Sequence, residues 1–241
     1  MRPYAGSFAV AFVAAILGAA LFWAVERLVP ASAPDAARTE QVVHDYLLSH
    51  PEIIPQAMDA LRDRAHADTI AANKDAILEP FGSAWMGSAN PDVTLVEYFD
   101  YNCGYCRASL PTITALLKSD PKLRVVFREF PVLSDASADA ARMSLAAANQ
   151  GKFQPFHDAL YAAGPVSAAT ITASAKAAGV DLAKAAAFAP QADAEIASNM
   201  GIARQLGLTG TPSWVIGNSV VSSALTLEAL QKAVAAARAV K

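Results

Sequence analysis

Hydrophobic and polar positions along this chain change period several times, and each change marks an element. From Pro3 to Val25 no residue is charged, and the apolar run SFAVAFVAAILGAALFWAV matches the ~20 residues of a spanning helix. Residues 26–38 (ERLVPASAPDAAR) lose that pattern and read as a Pro/Ala-rich linker. Two helices are then expected over 39–80. Ser49 followed by Pro51 and Glu52 fits a capping box, with Ser49 as N-cap of the second helix and Pro55 in its first turns. Ile54, Met58, Leu61 and Ala65 recur on one face of that helix, as in a short coiled-coil seam. Such a face packs either on the chain's own domain or on the same helix of another copy. The FGSAWMGSAN stretch reads as a loop, and DVTLVEYF (92–99) as a buried strand.

After a three-residue connection, CRASLPTITALLKSD has helical spacing at Leu110, Ile113, Leu116 and Leu117, with a kink expected at Pro111. LRVVFREF (123–130) is a second strand ended by Pro131. Residues 135–207 read as Ala-rich helices broken near Gly151, Gly164-Pro165 and Pro190. TPSWVIG and SVVSS form a hairpin around Gly217-Asn218, and a last helix follows with Thr226 as cap. Strand, helix, strand, helical block, hairpin and helix make an α/β domain with an all-helical insertion.

The 241 residues are 54% hydrophobic and carry a formal net charge of -3, without a Lys/Arg-rich block. That balance offers no nucleic-acid footprint. Arg2 before the apolar run favours a cytoplasmic N-terminus with the remainder exported. The run exceeds the 7–15-residue core of a secretory signal, and the triplet Ala31-Ser32-Ala33 is followed by Pro34. We expect residues 1–28 to be an uncleaved transmembrane signal-anchor, with a cleaved signal and a soluble periplasmic protein as the alternative. Both place residues 81–241 in an oxidising compartment.

The only two cysteines, Cys103 and Cys106, lie in FDYNCGYCRAS. A zinc site needs four ligands, and His44, His50, His66 and His157 show no ligand spacing beside them. Haem attachment requires a histidine where Arg107 stands. Copper handling would need further His or Met ligands, and Met143 and Met200 are remote in sequence. A structural disulfide would close a very small loop and so stabilise little. Redox chemistry uses the position better. Cys103 begins a helix, where free amide groups stabilise a thiolate, and Cys106 stands one turn on to resolve a mixed disulfide.

Cys103-Gly104-Tyr105-Cys106 after a strand, with Thr211-Pro212 opening a later strand, resembles the thioredoxin fold. The helical block, together with FREFPVL and TGTPSWVIG, resembles its DsbA branch. The resemblance implies a cis Pro212 facing the cysteines, with backbone groups of Thr211 available to a substrate strand. It implies that Glu97 is a buried acid beneath the disulfide, able to take the Cys106 proton. It implies no cofactor beyond a redox-active Cys103–Cys106 disulfide. Residues from HDYLLSHPEII onward resemble the extension of ScsC- and Com1-type proteins, some of which form oligomers with isomerase activity. Gly104 and Tyr105 bring no charge, unlike the Cys-Pro-His-Cys of dedicated oxidases, so isomerase or reductase duty is expected over oxidation. The expected partners are exported cysteine-containing proteins, a membrane redox partner and a second copy through residues 39–80. A DsbA-type oxidase and a non-catalytic periplasmic chaperone or adaptor are the alternatives.

Overall fold

The computed structural model describes residues 36–239 and five helical positions before them, 18, 20, 21, 23 and 24. Most of the expected signal-anchor and most of the linker lie outside the described residues. Among the described residues, no helix is long and apolar enough to cross a membrane. Contacts divide the chain into two compact units, with the boundary between Asp59 and Ala60.

Helix α1 spans Ala36–Ser49 and therefore starts inside the stretch expected to be linker. Helix α2 spans Ile53–Ala72, and α3 spans Lys74–Leu78. Ser49 is not an N-cap. Its hydroxyl turns back and donates to the carbonyls of Asp45 and Tyr46 at 2.7 and 3.1 Å, closing α1. The break that Pro51 imposes ends one helix before the next begins, which satisfies Ser49 locally. Pro55 sits in the first turn of α2, where a missing N–H is harmless. Ile54, Met58 and Leu61 are 52%, 57% and 67% exposed. Ile70 and Ile77 are instead the residues by which α2 and α3 enter the core.

The sheet has the order β1-β3-β2-β4-β5. Strand β1 is Trp85–Gly87, β2 is Val93–Phe99, β3 is Leu123–Glu129, β4 is Ser213–Ile216 and β5 is Ser219–Val221. Only β2 and β3 run parallel. They are buried on both faces, which explains their nearly continuous apolar sequences. Strand β1 lies within the expected FGSAWMGSAN loop. Three residues between Ala84 and Ser88 carry no period, and pairing with β3 decides their state. Gly217 adopts φ +60° in the β4–β5 turn, as the hairpin signal requires.

Helix α4, Gly104–Ser119, runs through Pro111 and buries Cys106, Ser109, Ile113 and Leu116. The insertion consists of α5 (Asp135–Asn149), α6 (Phe153–Ala162), α7 (Ala168–Ala177), α8 (Leu182–Ala187) and α9 (Ala189–Gln205). The expected break near Pro190 falls at Phe188, between α8 and α9, and Pro190 itself lies in the first turn of α9, where its missing N–H is harmless. The break after α7 comes at Gly179, with φ +71°. The closing helix, α10, spans Leu227–Ala239 and is capped by the Thr226 hydroxyl, which accepts from Ala229 N at 3.2 Å. Apolar residues form two cores. One gathers Leu95, Phe99, Phe127 and Trp214 with α4 to α8, and the other gathers Val96, Tyr98, Val126 and Val215 with α3 and α9.

Candidate active site

The site forms where β2 ends and α4 begins. Cys103 is the N-cap of α4, with an extended backbone at φ -79°, ψ 114°. Its sulfur receives the Cys106 amide hydrogen at 3.4 Å and donates to the Thr211 carbonyl at 3.1 Å. Both cysteines are free thiols. Cys103 is 6% exposed and Cys106 only 1%, so approach from solvent reaches the first thiol. Thr211-Pro212 is a cis peptide bond, and its carbonyl contact brings the distant TGTPS loop onto Cys103. The Thr211 hydroxyl is buried without a partner.

Gly104 and Tyr105 occupy the exposed start of α4. A Cβ built on Gly104 would meet nothing, and Tyr105 projects into solvent. Neither residue is demanded by packing. Arg107, next on the helix, donates to the Gly164 carbonyl at 3.0 Å, and its guanidinium lies 6.0 Å from the centre of the Tyr161 ring.

Glu97 is buried on the same sheet face as Phe99, in register with Phe127 and Trp214. Its Oε1 has no hydrogen-bond partner. Burial pushes its carboxyl well above the usual range, and charge on Cys103 adds to the rise. Burial also raises the Cys106 thiol. Glu97 raises it further, while a backbone hydrogen bond from Asp100 pulls it down. Glu97, Cys106 and Cys103 are thus electrostatically coupled, whereas Thr211 meets Cys103 through its backbone carbonyl.

Sequence reasoning missed several polar residues around this group. Asp100 accepts the Cys103 amide on its carbonyl. The buried Tyr101 hydroxyl lies 2.9 Å from Ser144 Oγ and 3.1 Å from His157 Nδ1. Burial lowers His157 to about 3, which keeps the ring neutral among Phe99, Phe127, Phe153 and Tyr161. Glu129 is a second buried acid on this face. Burial raises it, and a Ser144 hydrogen bond moderates the rise. Asp100 and Tyr101 adjoin the cysteine motif and were open to suspicion. Ser144, His157 and Tyr161 carry no sequence signal, since only the packing of α5 and α6 brings them in.

Comparison with known proteins matches the family described as Thioredoxin over residues 81–236. The family described as the copper resistance protein ScsC N-terminal domain matches residues 35–67. A thioredoxin-like oxidoreductase from Silicibacter pomeroyi is 38% identical, with a TM-score of 0.65, covering 69% of this chain and 98% of that one. The thiol-disulfide exchange protein alpha-DsbA2 from Wolbachia pipientis is 31% identical, with a TM-score of 0.65, covering 73% and 97%. A periplasmic thioredoxin-like protein from Salmonella enterica serovar Typhimurium is 25% identical, with a TM-score of 0.61, covering 69% and 95%. A curated relative, the Na(+)/H(+) antiporter NhaA 1 of Salinispora arenicola, is 30% identical over 157 residues. That match covers 63% of this chain but only 24% of the antiporter.

Proposed function

The chain belongs to the thioredoxin family, and from that premise we propose that it is a DsbA/ScsC-like thiol-disulfide oxidoreductase of the periplasm, acting on exported cysteine-containing proteins. The observation that carries this reading is the asymmetry of the two thiols. Cys103 Sγ stands at a helix start 3.1 Å from the Thr211 carbonyl, while Cys106 is enclosed beside Glu97. Cys103, as the thiolate, attacks a substrate disulfide and forms a mixed disulfide, and one substrate sulfur leaves with the electron pair of the broken bond. The helix start and the Cys106 amide favour negative charge on the attacking sulfur.

Glu97 then changes role. Burial, with charge on Cys103 adding to it, holds the Glu97 carboxyl protonated, and the mixed disulfide removes the Cys103 part of that rise. Glu97 gives its proton by way of water to the substrate thiolate released in the first step, and the carboxylate so formed takes the proton of Cys106. Cys106 attacks Cys103 Sγ, the bond to the second substrate sulfur breaks with its electrons on that sulfur, and the Cys103–Cys106 disulfide forms. No cofactor beyond this disulfide takes part. Run in reverse, the same steps oxidise a substrate. In isomerisation, a second substrate thiol resolves the mixed disulfide instead.

Gly104 and Tyr105 face solvent and add no charge to the thiolate, which supports isomerase or reductase duty over oxidation. A membrane redox partner would return the pair to its working state. The apolar run before residue 26 supports anchoring at the periplasmic face of the inner membrane. Refolding of a scrambled multi-disulfide substrate is the test. Reactivation by the reduced protein, abolished in Cys103→Ala, is expected. Rapid dithiol oxidation without reactivation would make it an oxidase, and full function in Cys103→Ala would make it an adaptor.

Copies associate through the extension in this reading. Val42, Tyr46, Leu48, Ile54, Met58 and Leu61 are large apolar residues, each more than half exposed. The double variant Met58→Asp/Leu61→Asp spares Ile70 and Ile77, and light scattering should show its mass fall to that of one chain. An unchanged single-chain mass in the parent protein would remove the oligomer.

A further inference from the structure

Asp100 sits between β2 and Cys103, is 1% exposed, and uses all of its oxygens. Oδ1 accepts the Asn102 amide at 2.8 Å. Oδ2 accepts the amides of Val132 and Leu133 at 2.9 and 3.0 Å. The backbone carbonyl accepts the Cys103 amide at 3.0 Å and the Tyr161 hydroxyl at 3.2 Å. Three segments therefore converge on one residue: the turn that carries the thiols, the turn after β3 and helix α6 of the insertion. Three N–H donors meet side-chain oxygens that only accept, which fits a carboxylate and no other side chain of this size. Val132 and Leu133, the far ends of two of these bonds, are 42% and 53% exposed apolar residues. Asn102 adds a parallel tie, its Nδ2 donating to Ser134 Oγ at 2.6 Å.

We propose that Asp100 is the positioning residue of the exchange site, holding the Cys103–Cys106 turn in register with the apolar Val132–Leu133 segment so that Cys106 meets Cys103 Sγ from a fixed direction. The role rests on the thiol-exchange reading above. It concerns the second step, in which Cys106 attacks Cys103 Sγ, its proton passes to Glu97 and the departing sulfur takes the electron pair. First attack depends on the accessible Cys103 alone. Resolution needs both sulfurs placed together, and the Asp100 carbonyl holds the Cys103 amide while its side chain ties the same turn to Val132 and Leu133.

Glutathione disulfide is the probe. The reduced full chain is mixed with it, quenched in acid at intervals and weighed by mass spectrometry, which separates formation of the Cys103–glutathione mixed disulfide from its resolution. In Asp100→Asn an NH2 group faces the amide hydrogens of Val132 and Leu133 or, flipped, that of Asn102. The lifetime of the mixed disulfide should rise about tenfold, with its formation rate within about twofold of the parent. Tyr161→Phe removes only the hydrogen bond to the carbonyl and keeps the packing, so the same change should be about threefold. It carries the test alone if Asp100→Asn fails to fold. A parent-like lifetime in a folded variant, or equal slowing of both steps, overturns the positioning role. A parent chain that forms no mixed disulfide overturns the thiol-exchange reading itself.

Discussion

The two faces of strands β2 and β3 treat buried ionisable groups in opposite ways. On the face toward α3 and α9, Arg128 is 3% exposed and fully engaged. It donates to Glu195 Oε1 at 2.7 Å, to the Ile77 carbonyl at 3.3 Å and, through Nη2, to the Glu79 carbonyl. On the opposite face Glu97 is as deeply buried, with an oxygen that no donor meets, and Glu129 also leaves Oε1 unpaired. A paired charge fastens elements together. An unpaired acid costs stability but keeps a proton that can be moved, and perturbed acids of this kind gather where chemistry is done.

Breaking the fastened face should produce the largest change. Arg128→Ala leaves the Ile77 and Glu79 carbonyls unpaired and Glu195 without its cation, which costs about 3 kcal/mol, reduced from the upper end because Glu195 is partly in water. Urea unfolding measures this. Exchange with glutathione per folded molecule should stay at the parent rate, and a parallel loss would show that the two faces are not separate in function.

The unpaired face should respond the other way. Glu97→Gln should slow resolution by about 100-fold while leaving the fold intact. Its effect on stability depends on pH. In the unfolded chain a glutamate ionises near its ordinary value of 4.5, whereas burial raises both Glu97 and Glu129. The folded state then binds more protons, so this contribution is full below pH 4.5 and is lost as pH rises toward the folded values. His157 acts at the acid end. Burial lowers it from 6.5 to about 3, so its contribution is present above pH 6.5 and lost as pH falls toward 3. Thermal unfolding at pH 5 and 8 should show Glu97→Gln, and more weakly Glu129→Gln, losing less stability across that interval than the parent. A slope as steep as the parent's would mean that water reaches these acids.

Several elements were legible because their signals are local. The β-branched run of β2, the Cys-x-x-Cys at the next helix start, the β4–β5 hairpin and the Thr226 cap each need only neighbouring residues. Others misled for the same reason. Ser49 has the spacing of an N-cap, yet the carbonyls of Asp45 and Tyr46 were nearer partners. Strand β1 has no local pattern and exists because β3 offers it an edge.

By itself, the sequence determined which thiols are available, which stands first on the helix and that an acid lies six residues upstream, since these are matters of order along the chain. Only the tertiary structure decided that Glu97 Oε1 lacks a partner while Arg128 has three, because pairing depends on what other elements bring within reach. It also decided that α5 and α6 deliver Ser144, His157 and Tyr161 to the site. Asp100 shows the division within one residue. Its bond to Asn102 could be guessed from two positions of separation, whereas those to Val132, Leu133 and Tyr161 join segments 32 to 61 positions away.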